Sequence, residues 1–349
     1  MIVTRRAFAS ARPAPAPAKI GHKQAVRVTI VGHVCIDENI GDDSSVTRVP
    51  GSPAVYMVSE FEQLSYVVAA VVAPYGDDFV EIAPETPLLG TPAAAPTLLY
   101  RNLFVDGHRL QECRHTEGAD AVPLTEATTD QLADSDIVIV APLLDTFSGD
   151  YIEQIFAATS AGALRVLVPQ GYFRRVGADH RISQVEFADY AHVLPFFDLV
   201  VFSDEDCVDA LARASEWSAE FAQTRIVVTQ NERGATLFVG GVAHPVAATP
   251  VETADSVVTI GAGDVFSAHL ALASFASATR PSATRASTAR ASATRASTSR
   301  ESAPRASAAP ASLTARDLLA AVSHANAAAG RFLETEQLRV TPEQARLSA

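Results

Sequence analysis

Six short, apolar, β-branched runs recur along this chain, with helix-patterned segments between them. The runs are Val26–Val31, Tyr66–Ala73, Ile137–Ala141, Leu164–Val168, Leu199–Phe202 and Ile226–Thr229. Apolar residues dominate each run, so each reads as a strand buried on both faces. Helical patterns fall at Ala54–Leu64, Gly149–Thr159, Glu205–Ala214, Trp217–Gln223, Val265–Phe275 and Leu313–Leu333. Such alternation predicts an α/β fold, a mostly parallel sheet covered by helices. One piece breaks the rhythm. Thr97–Val105, the pair Asp106-Gly107 and His108–Arg114 read as a β-hairpin with a tight turn, a candidate lid.

Two segments stand outside this pattern. Residues 1–24 carry five basic residues, no acids and a Pro-Ala run, and read as a disordered cytoplasmic tail. Thr4-Arg5-Arg6-Ala7-Phe8 has the look of a twin-arginine export signal, but Arg12-Pro13-Ala14-Pro15 follows where an apolar stretch is needed. Across about 276–312, arginine recurs every five residues from Arg280 to Arg305, and serine from Ser282 to Ser312. A period of five gives neither a helix nor a strand an apolar face. The segment reads as a disordered surface insertion, or as a basic arm docking on the acidic body or an anionic partner. Tail and insertion each carry net +5, so the −13 of the whole chain leaves −23 on the body. One domain is expected over 25–335, with a C-terminal tail at 336–349.

Charge and composition exclude several chemistries. The only lysines are Lys19 and Lys23, both in the tail. The body therefore offers none for a Schiff base, a Walker loop or a protein-kinase ion pair. Phosphate binding must use arginine, backbone N–H groups or metal. The acidic balance argues against nucleic acid. No apolar run reaches the ~18 residues of a membrane span. Cys35, Cys113 and Cys207 form no disulfide framework and no Cys-x-x-Cys pair, which suits a reducing compartment. His33 and Cys35, spaced i, i+2 without further ligands, read as packing residues.

In an open parallel sheet, ligands bind beyond the carboxyl ends of the strands. Two features fall there. Gly32-His33-Val34-Cys35-Ile36-Asp37 ends the first run, and Asp37 either holds a polyol hydroxyl pair or caps the loop. Gly261-Ala262-Gly263-Asp264 leads straight into a helix, so its backbone N–H groups and the helix dipole form an anion site without lysine. Asp264 is then either an N-cap or a base taking a proton from a hydroxyl that attacks a phosphate there. Phe266 at the third glycine position rules out the dinucleotide fingerprint. Arg174 and Arg175 either meet a phosphate or acceptor oxygen or form a solvated pair. Phe196, Phe197 and Trp217 fit core positions.

Gly261-Ala262-Gly263-Asp264-Val265-Phe266 resembles the C-terminal signature of the ribokinase-like (PfkB-type) carbohydrate kinases. The likeness spans most of 26–335 in order: Val28–Asp37, Gly51-Ser52-Pro53-Ala54, Gly76-Asp77-Asp78-Phe79, Gln170–Arg174, Ser203–Asp206, and Thr229 to Gly234. The Gln170–Arg174 segment is similar to inositol-kinase-like members. The resemblance implies a three-layer sandwich with a mostly parallel central sheet and a small β-hairpin lid. It implies an ATP- and Mg²⁺-dependent kinase acting on a hydroxyl of a small sugar, cyclitol or nucleoside, with dimers through the lid in some members. Asp264 would be the base, and the Gly261, Ala262 and Gly263 N–H groups the anion hole. Asp37, Gly51, Ser52 and Arg174 would hold the acceptor. Thr229, Gly234 and Asn326 would line the nucleotide site, and Asp206 with Glu205 would organise Mg²⁺.

The chain departs from the family at Val258 (usually Asp), Ser52 (second glycine of the pair), Asp206 (usually Glu, with Ser203 for Asn) and Asn231 (first glycine of the nucleotide loop). These departures admit a non-catalytic polyol- or nucleotide-binding protein as the alternative. The short span between Asp37 and Gly51 also predicts few early lid strands, leaving the 97–114 hairpin as the main cover.

Overall fold

The computed structural model describes residues 25–40, 45–105, 108–251, 260–279 and 313–347. In chain order the strands are β1 (Val26–Gly32), β2 (Cys35–Ile40), β3 (Val46–Gly51), β4 (Val67–Val72), β5 (Leu88–Leu89), β6 (Leu98–Val105), β7 (His108–Arg114), β8 (Ile137–Ala141), β9 (Leu164–Leu167), β10 (Arg174–Val176), β11 (Ile182–Gln184), β12 (Leu199–Ser203), β13 (Arg225–Thr229), β14 (Ala235–Val239) and β15 (Val242–Val246). The helices are α1 (Pro53–Glu62), α2 (Asp77–Ile82), α3 (Glu126–Ala133), α4 (Gly149–Ala158), α5 (Tyr190–Val193), α6 (Ala210–Glu220), α7 (Ala262–Ala278) and α8 (Ala315–Leu347).

All six apolar runs are strands of one nine-stranded sheet, ordered β15-β14-β13-β12-β9-β8-β1-β4-β5. From β13 to β5 its neighbours run parallel; β14 and β15 close the far edge antiparallel. The strands feed two apolar cores. Val28, Ile30, Ile139, Val166 and Val201 pack on one face against α1, α7 and α8. Val31, Val138, Val140, Leu167 and Val200 pack on the other against α4 and α6, with Leu132 of α3. Alternate residues of each strand thus face opposite layers, so a continuous apolar run is required. The result is the expected three-layer sandwich.

A four-stranded sheet, β3-β2-β6-β7, covers one end of the large one. Here the sequence reading needs correcting. The β6–β7 hairpin is present as expected, its turn pair Asp106-Gly107 lying outside the described residues. The span from Asp37 to Gly51, however, supplies two further lid strands, β2 and β3. An antiparallel pair needs only a short connection, so twelve strand residues fit where little room was expected. Asp37 accordingly sits on a lid strand and not in a loop after β1.

The helix boundaries also shift. The patterns Glu205–Ala214 and Trp217–Gln223 form one helix, α6, preceded by a turn. Asp206 Oδ2 accepts from the Ser203 N–H (2.8 Å), and Ser203 Oγ from the Glu205 N–H (3.2 Å). These side-chain bonds hold 203–206 out of the helix. Helix α7 runs to Ala278, into the start of the arginine-serine stretch, and α8 runs to Leu347, through the stretch read as a C-terminal tail. Residues 1–24 and 280–312 lie outside the described residues.

His33 is fully buried beneath the lid. Its Nδ1 accepts from Leu143 N–H (3.0 Å), so Nε2 carries the proton and donates to the Ala119 carbonyl (2.8 Å). Burial lowers its pKa to about 4, so it stays neutral and serves packing. Phe197 and Trp217 are core residues, and Phe196 packs at the core's edge.

Candidate active site

Between the lid and the carboxyl ends of the large sheet lies a cleft of about 730 Å³. It gathers Asp37, Ser52, Arg174, Glu205, Asp206, Thr229, Gly234, Gly261, Ala262, Gly263, Asp264 and Asn326. Of the residues read from sequence as site residues, only Gly51 is not in its wall. Gly51 acts one step behind: a Cβ there would stand 2.3 Å from the Asp37 carboxylate, so the glycine gives Asp37 its place.

Gly261 starts α7 at φ +88, a left-handed conformation that favours glycine. A Cβ would also strike the Tyr56 ring at 2.5 Å. After this turn the N–H groups of Ala262, Gly263 and Asp264 begin a helix of 17 residues and have no helical acceptor. Above Gly263 the space is open. Asp264 stands in this first turn. Burial, with Asp206 and Asp37 adding to it and Arg174 opposing, pushes its pKa up to about 7. Gly261 holds the N-cap position of α7 and Asp264 lies within the first turn, which sets aside the N-cap reading.

Two departures from the family pattern keep a glycine-like backbone. Ser52 lies at φ +109 and Asn231 at φ +50. Ser52 also caps α1, its Oγ accepting from the Val55 N–H (3.3 Å). Asn231 uses its side chain as well: its amide donates to Glu205 Oε1 (2.6 Å). Arg233 pairs with Asp204, so two bonds tie the 231–234 loop to the 203–206 turn. Val258 lies outside the described residues.

Asp206 is held from three sides. Burial pushes its pKa up, while the Ser203 N–H, Arg174 and Gln170 act to lower it. Arg174 also hydrogen-bonds the Tyr100 hydroxyl, which donates to the Leu143 carbonyl (3.1 Å). Asn326 donates to the Val246 and Ala247 carbonyls (3.3 and 3.2 Å), fixing the chain just before Ala248–Val251. Ala248, Pro250, Val251, Ala329 and Leu333 give that end of the cleft an apolar wall.

Among the described residues, the wall carries five carboxylates (Asp37, Glu205, Asp206, Glu232, Asp264) and one cation, Arg174. A polyanion entering such a cleft must bring cations with it. The hard oxygen donors of Asp206 and Glu205 fit Mg²⁺, which keeps several waters and takes one or two carboxylates.

Sequence reasoning missed Tyr56, Tyr100 and Gln111. Tyr100 and Gln111 sit in the predicted hairpin, whose strict alternation places Tyr100, Asn102, Gln111 and Cys113 on one face. The alternation was legible; which face looks into the cleft was not. All three cysteines are buried and burial pushes each thiol up, so none offers a ready thiolate.

No protein-family model matches the chain, and no curated protein sequence matches it. Solved structures do. A ribokinase from Giardia lamblia superposes with a TM-score of 0.61 at 16% identity, covering 88% of this chain and 92% of the other. The protein has the ribokinase-like fold. A sulfate complex of a pyrophosphate-dependent kinase in the ribokinase family gives 0.59 at 15% identity, covering 88% and 95%. A fructokinase from Vibrio cholerae O395 gives 0.56 at 14%, covering 89% and 99%. The ribokinase-like frame accounts for both sheets: the large one with α7 on one face, and the small one as the lid that carries Asp37.

Proposed function

We propose that the protein is a kinase that transfers a phosphoryl group to a hydroxyl of a small neutral sugar, cyclitol or nucleoside. The carrying observation is the placement of Asp264 in the first turn of α7, beside free backbone N–H groups and in one cleft with Asp37 of the lid. A carboxylate with a pKa near 7 is ionised for half its time at neutral pH and is basic enough to take a hydroxyl proton.

Asp37 accepts hydrogen bonds from the acceptor and seats its reacting hydroxyl over Asp264. Asp264 takes the proton as that oxygen attacks. The N–H groups after Gly261 face the charge that gathers on the transferring group. Arg174, between Asp206 and Asp264, adds the one positive side chain. Asp206 and Glu205 would hold Mg²⁺, which would neutralise donor phosphate charge.

The donor in this reading is ATP, with Thr229 and Gly234 along its phosphates and its base on the apolar wall by Asn326. Similar solved structures include pyrophosphate-dependent kinases, one complexed with a pyrophosphate analogue and myo-inositol. Pyrophosphate has no base for the apolar wall, so that wall favours a nucleotide.

The test is product release over a panel of sugars, cyclitols and nucleosides, with ATP or pyrophosphate and Mg²⁺. Turnover by wild type and a loss of about 10²–10⁴-fold in kcat for Asp264→Asn are expected. No turnover with either donor, or full activity in Asp264→Asn, overturns the reading. Phosphate release with pyrophosphate alone keeps the base and replaces the donor.

A further inference from the structure

The inner face of the lid carries a row of carboxamides. Asn39 on β2 stands opposite Asn102 on β6, which stands opposite Gln111 on β7. The Gln111 amide donates to Asn102 Oδ1 (3.0 Å), and the Asn102 amide donates to Asn39 Oδ1 (2.9 Å). Asn102 is 0% exposed. A buried amide is tolerated only when hydrogen-bonded, and a chain of amides donating in one direction polarises its members. The acceptor end of this chain is Gln111 Oε1.

Two positions along the same face lies the row containing Asp37 and Tyr100. Asp37 and Gln111 both line the cleft. They are two strands apart and two residues apart along the strands, about 12 Å between backbones. The bond to Asn102 turns the Gln111 amide inward, towards the Asp37 strand. The lid thus offers a ligand two acceptor oxygens, one charged and one neutral. A phosphate or carboxylate on the ligand would meet oxygen with oxygen. A neutral polyol supplies a hydroxyl proton to each.

The outer face holds this geometry. In the next row Arg48, Glu38, Arg101 and Glu112 alternate in charge across all four strands, with Arg48–Glu38 at 2.9 Å, Glu38–Arg101 at 2.7 Å and Arg101–Glu112 at 3.3 Å. A one-residue slip would break both rows at once.

We propose that Gln111 determines acceptor specificity, binding through Oε1 a hydroxyl of a neutral polyol other than the one Asp37 holds, with Asn102 as its positioning residue. This rests on the kinase reading above. The probes are myo-inositol, D-ribose, D-fructose and adenosine, each with singly deoxygenated analogues. Gln111→Leu should raise acceptor KM about five- to tenfold, the size of one hydrogen bond, with donor KM and kcat little changed. One deoxy analogue should show the same rise with wild type, and Gln111→Leu should add nothing to it. Asn102→Asp, which still accepts from Gln111 but cannot donate to Asn39, should raise KM for the same hydroxyl by a smaller factor.

Unchanged acceptor KM in Gln111→Leu overturns the proposal. So does an equal loss on every deoxy analogue, which marks the ladder as structural; thermal melting of each variant accompanies the kinetics. If wild type turns over no acceptor, calorimetry with the same probes decides. Binding weakened by Gln111→Leu sustains this proposal while the kinase reading fails. Equal binding, or binding of no probe, overturns it.

Discussion

At the scale of the residue, the informative positions are those where a side chain sits against its own preference. Asp264 is one. Its folded pKa, raised from 3.8 to about 7, means that the native state keeps a proton the unfolded chain has lost between those values. Stability therefore falls as pH rises from about 4 to about 7, and the penalty is complete above. Asp264→Asn should lose kcat and gain stability, by about 1–3 kcal/mol at pH 8 and far less at pH 4, read from melting temperatures. The wild-type kcat/KM should climb with pH to a plateau above about 7, because the base must be ionised. Ser52 is the second such position. A serine at φ +109, ψ +156 occupies a region nearly reserved for glycine, at a cost of about 1–3 kcal/mol. Replacing a serine N-cap by glycine costs only a few tenths. Ser52→Gly should thus stabilise by about 1 kcal/mol, measured by urea unfolding. A destabilised Ser52→Gly would show that the Oγ bond to Val55 outweighs the backbone strain.

At the scale of the element, the lid behaves differently from the sandwich. The large sheet is held by two apolar cores, whereas the lid combines a small apolar cluster around Tyr100 with polar rows across its strands. Burial by itself would raise the Glu38 pKa, but hydrogen bonds from Arg101 and Arg48 outweigh it and hold it below its ordinary 4.5. A hydrogen bond from Arg114 does the same for Glu112. A depressed carboxylate contributes its stability above the ordinary value and loses it as pH falls through the folded one. The lid should therefore loosen below about pH 4.5, before the apolar sandwich does. Hydrogen exchange across 35–51 and 98–114 would report it as early loss of protection. Glu38→Gln keeps shape but loses both ion pairs, with side-chain exposure of only 8% at Glu38. It should lower lid protection by about 1–3 kcal/mol, leave the sandwich's protection unchanged, and remove most of the acid sensitivity. The lid is also pinned at its root. Asp78 accepts from Thr97 Oγ1 (2.6 Å), while that hydroxyl accepts from the Gly76 N–H (2.8 Å). The Gly76–Phe79 segment picked out in the sequence thus anchors the start of β6, outside the cleft.

At the scale of the whole molecule, the arginine-serine segment interrupts two helices that pack on each other, α7 and α8. Its return is anchored where Arg225 donates to the Leu313 carbonyl (3.5 Å). Closing a longer loop costs only logarithmically more, so ~30 residues add about a few kcal/mol at most. A short Gly-Ser linker in place of 281–311 should leave folding and turnover at saturating donor nearly unchanged. If the +5 segment steers the anionic donor towards the acidic body, donor KM should rise on its removal, and added salt should erase the difference. Loss of folding in the linker variant would place a structural element within the segment.

The layers were legible in the sequence, and so was the glycine turn that opens α7. Buried parallel strands announce themselves as apolar runs, and two glycines before a helix fix a turn through local sterics alone. Nearly every residue that the sequence named as a site residue lines the cleft, because those residues cluster in short motifs at strand ends. It began α6 too early, because side-chain bonds within Ser203–Asp206 decide where that helix begins. Tertiary structure alone decided that Asp37 rides on a lid strand, and that Asn39, Asn102 and Gln111 form one row. It decided too that Asp264 holds its proton near neutrality. Each of these depends on which distant segments meet: cross-strand register joins residues some seventy positions apart, and a carboxylate's pKa is set by the charges and the water that packing leaves around it.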